Sequence, residues 1–196
     1  IIGKRLAPHD LMLLTVCKLS EKKNVGQIIE LMPSLLEKFP GLLYVVAGNG
    51  PDLPRLRSLA HGLGVEKRVQ FLGYISEDEL VHLYAAADVF VMVTKEDAVG
   101  NSVEGFGIVF LEAGSQGVPV IGPSKGGSTD AIADGISGFL VDPNDPVDIE
   151  RRIVELLCNP SVRAKMGAEG KKLAFMKPDW SPLDLLISSS NREKSA

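Results

Sequence analysis

Cysteine is nearly absent. Cys17 and Cys158 lie far apart with no CxxC spacing, so they give neither a disulfide framework nor a thiolate zinc site, and a reducing, cytoplasmic compartment is expected. An excess of positive charge is also lacking: 25 acidic residues against 21 Lys and Arg leave a formal net charge of -4. That balance excludes nucleic acid as the main partner, so any anion site has to be local. No apolar run is long enough to cross a bilayer; the longest are Leu11 to Cys17 and Ala85 to Val93, and the amino terminus lacks a signal-peptide layout. Peripheral attachment to a membrane is left to a further domain. Aromatic residues are few, 6% of the chain, yet 45% of the 196 residues are hydrophobic, enough for one well-buried domain and short for two.

What is present is an alternation. Leu11 to Val16, Leu42 to Ala47, Val69 to Leu72, Val89 to Val93 and Val118 to Ile121 are short, mostly apolar runs, the pattern of parallel strands covered on both faces. Between them, Val25 to Lys38, Leu53 to Leu63, Glu77 to Ala87 and Gly107 to Gln116 read as helices. Ile28, Leu31, Leu35 and Phe39 form an inward stripe, and Ser76 with Glu79 forms a capping box. A short helix follows Gly126-Gly127, Gly138 to Val141 is a last strand, and Asp145 to Leu157 and Val162 to Phe175 close the pattern as two helices. The order predicts an α/β fold: a Rossmann-like, doubly wound parallel sheet with helices on both faces and its ligand crevice at the carboxyl ends of the strands. Residues 1–177 are expected to form this domain, with Phe175 and Trp180 packing the terminal helix onto it or onto an absent partner domain. From Pro178 the periodicity fails, and the composition of Ser188 to Ser195 predicts a poorly ordered tail over 178–196.

The most informative stretch runs from Glu104 through Gly105-Phe106-Gly107-Ile108 to Glu112, two carboxylates eight residues apart across the start of a helix. Gly105 and Gly107 let a ligand approach the backbone, and a helix opening near Phe106 offers unpaired N–H groups to an oxyanion or a sugar hydroxyl. Glu112 would then lie about 9 Å along the helix, too far from Glu104 for both to flank one scissile bond, so a long ligand suits the pair better.

Read in order, the motifs resemble the carboxyl-terminal, donor-binding domain of the retaining GT-B glycosyltransferases called glycosyl transferases group 1, over roughly residues 11–158. Val16-Cys17-Lys18-Leu19 with Lys22-Lys23-Asn24 is similar to V-G-R-L…K-G, and Ala47-Gly48-Asn49-Gly50-Pro51 is similar to the G-x-G-P turn. Val69 to Gly73 resembles V-x-F-L-G, Tyr84 to Val91 resembles Y-x-x-A-D-v-f-v, and Glu104 to Glu112 matches E-x7-E. Gly117-Val118-Pro119-Val120, Gly126-Gly127 and Gly138 to Val141 complete the series. The resemblance implies transfer of a sugar from a nucleotide-diphospho-sugar to an acceptor hydroxyl, with no cofactor and no metal. It assigns sugar contacts to Glu104, Phe106, Gly107 and Ile108, with Gly105 beside them, the ribose to Glu112, and the diphosphate to Lys18 and Lys23. The donor is UDP- or GDP-linked, and the likeness of Val103 to Val109 to the family's mannosyltransferases favours guanine. Such enzymes pair two domains across a cleft, so an amino-terminal Rossmann domain is expected to be missing here and the acceptor site with it.

The chain departs from that pattern at several points. Lys18 stands in place of an arginine fork, Cys17 and Asn24 in place of two glycines, and Asp130 in place of a glutamate, with Lys125 as a nearby cation. Thr94 to Val103 reads as a loop beside the sugar site and a specificity element. Simpler readings stand beside these: a dipole partner and a solvated helix face for the two glutamates, surface positions for the two lysines, and a plain strand-to-helix turn at Gly48 to Pro51. His9, His61 and His82 are scattered and carry no role, and no Asp-x-Asp marks a divalent-metal site. Two alternatives to the transferase remain. One is a dinucleotide-dependent oxidoreductase, though Cys17-Lys18-Leu19 stands where its glycine fingerprint would be; the other is a non-catalytic nucleotide-binding module.

Overall fold

Burial on both faces makes Met12, Leu13 and Leu14 strand residues, and they begin a six-stranded sheet in which every neighbouring pair is parallel. In this computed structural model, which describes residues 11–95 and 107–176, the strands are β1 Met12–Val16, β2 Leu43–Ala47, β3 Val69–Gly73, β4 Val89–Val91, β5 Val120–Pro123 and β6 Gly138–Val141. Their spatial order is β3-β2-β1-β4-β5-β6. The helices are α1 Val25–Lys38, α2 Leu53–Gly62, α3 Glu77–Ala85, α4 Ile108–Ser115, α5 Ser128–Ala131, α6 Pro146–Cys158 and α7 Pro160–Phe175. A single 3-10 turn, Glu21–Lys23, precedes α1.

Alternate strand residues feed two cores. Leu13, Tyr44, Val46, Val91 and Ile121 pack under α1, α2 and α6, while Met12, Leu14, Val45, Phe90 and Val120 pack under α3 and α4. Burying each large aliphatic side chain contributes about 1.5–3 kcal/mol, so these two layers hold the sheet between helices. The stripe expected on α1 is buried at Ile28, Leu31 and Leu35, with Phe39 packed at its edge. The capping box forms at Ser76 and Glu79, and Asp145 caps α6 by accepting from the N–H groups of Val147 (3.0 Å) and Asp148 (3.1 Å). At the sheet's centre the buried Thr15 hydroxyl lies 2.8 Å from that of Tyr44 and donates to the carbonyl of Val91, linking β2, β1 and β4. Burial holds the Tyr44 phenol far above its ordinary pKa, so it stays protonated and donates to Thr15.

Phe175 does not pack onto this domain: it is 57% exposed, while α7 meets α4 through small residues, Gly170 against Gly114. Trp180, the first ten residues and the tail lie outside the described residues. Among the described residues, no helix is long and apolar enough to cross a membrane.

Candidate functional site

The strand order locates the crevice. From β1 the chain moves outward to β2 and β3, then returns to β4 on the other side of β1, so the winding reverses between β1 and β4. Loops leaving the carboxyl ends at such a switch diverge and leave a cleft between them. Residues 17–24 leave β1 and residues 92–95 leave β4; residues 96–106, most of the expected loop from Thr94 to Val103 among them, lie outside the described residues. The two are joined at their roots, where the Lys95 N–H donates to the Lys22 carbonyl at 2.8 Å.

The loop after β1 is held from three sides. Cys17 N–H donates to Ala47 O (3.0 Å) and Leu19 N–H to Asn49 O (2.9 Å), so the loop lies directly on the turn that follows β2. The glycines of that turn are required by this contact: a Cβ on Gly48 would come 1.9 Å from the Cys17 carbonyl oxygen, and one on Gly50 1.9 Å from that of Leu19. The G-x-G-P turn therefore earns its glycines from backbone packing, and it supports the loop that carries Lys18. Asn24 is the third anchor. Its φ of 55° is left-handed, and its side-chain amide donates to the Pro143 carbonyl at 3.2 Å. Lys18 is exposed and Lys23 half-buried in the 3-10 turn. Three charged residues without hydrophobic periodicity gave no signal for that turn.

On the other side of the switch, α4 opens at Ile108, and Gly107 precedes it as a left-handed N-cap (φ 66°) with no side-chain cap. The helix does not run back through Gly107, so its opening is two residues later than expected and Glu112 sits about 6 Å along it. Glu104, Gly105 and Phe106 lie outside the described residues. Glu112 is half-buried, and the hydroxyl of Tyr84 on α3 donates to its Oε2 at 2.7 Å. Burial raises the Glu112 pKa above the ordinary carboxylate range; the Tyr84 bond opposes that shift, and Glu77 adds to it. Beneath lies a ladder of rings, Tyr84 to Phe90 at 5.8 Å and Phe90 to Phe110 edge-on at 5.6 Å, which fixes α3 and α4 against β4. Sequence reading assigned Tyr84 no role, since a tyrosine beside Val81 and Leu83 on an apolar helix face looks like core. The available signal was its hydroxyl, which needs a partner when buried.

Lys125 and Asp130 are exposed beside and on α5, which follows the carboxyl end of β5 and packs near Gly107, where a Cβ would lie 3.5 Å from that of Ala131; His61 and His82 are exposed on α2 and α3. Among the described residues, no three His, Cys, Asp or Glu side chains are grouped to hold a metal ion. A cavity of about 330 Å³ lined by Arg57, Ala60, Glu66, Val69 and Phe71 opens where β3 begins, at the opposite end of the sheet.

Known proteins are similar to this chain in sequence and fold. The chain is 36% identical over 166 residues to the GDP-mannose-dependent alpha-(1-6)-phosphatidylinositol monomannoside mannosyltransferase of Mycobacterium tuberculosis, covering 85% of this chain and 43% of that protein. It thus spans less than half the length of this relative. The fold matches sucrose-phosphate synthase from Thermosynechococcus elongatus with a TM-score of 0.80 at 23% identity, over 98% of this chain and 47% of that one. It matches the C-terminal domain of a glycosyl transferase group 1 family protein from Francisella tularensis with a TM-score of 0.76 at 25% identity, over 90% and 89% of the two chains. The six-stranded Rossmann-like sheet is that of the GT-B glycosyltransferases among these neighbours. The family described as Glycosyl transferases group 1 matches residues 3–173, nearly the whole described fold and both sides of the crevice, and the chain belongs to that family.

Proposed function

We propose that the chain is the carboxyl-terminal, donor-binding half of a retaining glycosyltransferase that uses a nucleotide-diphospho-sugar without a divalent metal. One observation carries this reading: the switch between β1 and β4 gathers the lysine-bearing loop and the opening of α4, with Glu112, at one crevice. Glu112 accepts the ribose hydroxyls. Lys18 and Lys23 meet the diphosphate, where two cations stabilise the negative charge that grows as the sugar–phosphate bond breaks. Gly107 and Ile108 offer backbone N–H groups at a helix opening, and together with Glu104 and Phe106 they hold the sugar. An amino-terminal Rossmann domain across the cleft supplies the acceptor site, and the acceptor hydroxyl takes the sugar with its anomeric configuration retained. The donor is GDP-linked in preference to UDP-linked, in keeping with the printed specificity of the mycobacterial relative.

Calorimetric titration of the chain with GDP, UDP and ADP, each in EDTA and in magnesium, tests this. GDP is expected to bind most tightly and equally in both buffers. Binding that appears only with magnesium removes the metal-free reading; no binding of any of the three removes the donor site.

A further inference from the structure

We propose that Tyr84 is the positioning residue for Glu112: its hydroxyl anchors one carboxylate oxygen so that the other is presented, in a fixed direction, to the ribose of the nucleotide. This rests on the assignment of Glu112 to the ribose in the preceding section.

Three observations converge on it. Tyr84 is fully buried, so its hydroxyl has no water to turn to, and the partner it finds is the carboxylate of Glu112 on a different helix, 28 residues on, at 2.7 Å. The direction of that bond is settled by chemistry. Burial first, and then the neighbouring carboxylate, hold the Tyr84 phenol well above its ordinary pKa, so it remains an O–H donor and Glu112 must accept. The tyrosine is itself fixed, its ring packed on Phe90 at 5.8 Å and Phe90 on Phe110 at 5.6 Å, so the hydroxyl is attached to the sheet rather than to a mobile side chain. An ionised carboxylate has about four lone-pair positions, so one bond to Tyr84 leaves capacity for both ribose hydroxyls. The bond also sets the charge state. Among the described residues, the ionisable groups that act on this pair are Glu77 on α3 and Cys17 after β1; Glu77 disfavours the charged carboxylate, as burial does, and the Tyr84 hydroxyl favours it.

The chain and its variants Y84F, E112Q and Y84F/E112Q, titrated with GDP and with inorganic pyrophosphate from pH 5 to 9, test the proposal. Y84F is expected to weaken GDP by about tenfold or more at pH 7, as loss of a hydrogen bond to a charged group implies, while pyrophosphate affinity holds. The acid limb of the GDP profile should move to higher pH, because a carboxylate without its donor protonates earlier. In the E112Q background, removing the hydroxyl should cost nothing further. GDP affinity and pH profile like the parent in Y84F, with E112Q weakened, overturn the proposal and leave the ribose assignment standing. An unaltered GDP affinity in E112Q overturns the ribose assignment and the proposal together. Should Y84F not fold, the unmodified chain still decides: hydrogen exchange of the Tyr84 hydroxyl is expected to slow with GDP and not with pyrophosphate, and equal slowing by both overturns the proposal.

Discussion

Asn24 shows how a residue that breaks a pattern becomes intelligible from its backbone. In sequence it is a departure from the family's glycine; in the structure it holds the left-handed angle a glycine would hold, and its amide reaches Pro143. Asn24→Ala keeps a Cβ at that angle without the short polar side chain that tolerates it, and removes a hydrogen bond worth about 1 kcal/mol. Asn24→Gly loses only the bond, so urea denaturation should rank the three as Asn, Gly, Ala in falling stability. Glu112 gives the opposite case, a residue singled out by its spacing from Glu104 and its place in the family's motif, whose energetic character is invisible in sequence. Its pKa is raised in the folded state, chiefly by burial, so the neutral form is the one folding favours. That contribution is complete below the unfolded carboxyl value and is lost as pH rises through the raised folded one. Glu112→Gln is therefore expected to melt at a higher temperature than the parent at pH 8. The gap should close near pH 4, while GDP binding is weakened at pH 7–8.

Helices and strands were legible wherever hydrophobic periodicity was long, and their ends were legible only where a cap marked them. Ser76 and Glu79 fixed the start of α3, but the apolar run from Val89 to Val93 overstates β4, which leaves the ladder after Val91 although Met92 and Val93 remain buried. Burial is written in the sequence; pairing partners are not. The turn after β2 illustrates the same limit. Its glycines suggested either a ligand contact or a simple turn, and the contact that requires them, a second loop lying against the turn, belongs to residues some thirty positions away. Gly50→Ala would push a methyl group into the Leu19 carbonyl, and the backbone there has nowhere to yield. A loss of about 1–3 kcal/mol in thermal or urea unfolding is expected, as for other overpacked sites, together with weaker pyrophosphate binding as the Lys18 loop shifts.

At the scale of the molecule, alternation of strand and helix disclosed a doubly wound sheet, and the connection rule limits its topologies; which strands meet at the switch is a property of the assembled fold. Here the junction is β1 with β4, a pair recorded over only two residue couples, Leu13 with Val89 and Leu14 with Phe90. So short a ladder specifies its alignment weakly, and both loops of the crevice hang from it. The Thr15 hydroxyl, bonded to Tyr44 on one side and to the Val91 carbonyl on the other, supplies what the ladder lacks. Slide β4 by one residue and the Thr15 hydroxyl loses its acceptor in a medium that offers no other, so misaligned sheets are penalised before the native one is favoured. Thr15→Val, nearly the same shape, is expected to cost about 1–3 kcal/mol by stranding the Tyr44 hydroxyl, and Tyr44→Phe added to it should recover part of that loss. The buried hydroxyls then act as an alignment key: their influence on the loops that leave β1 and β4 runs through which residue of β4 faces which residue of β1.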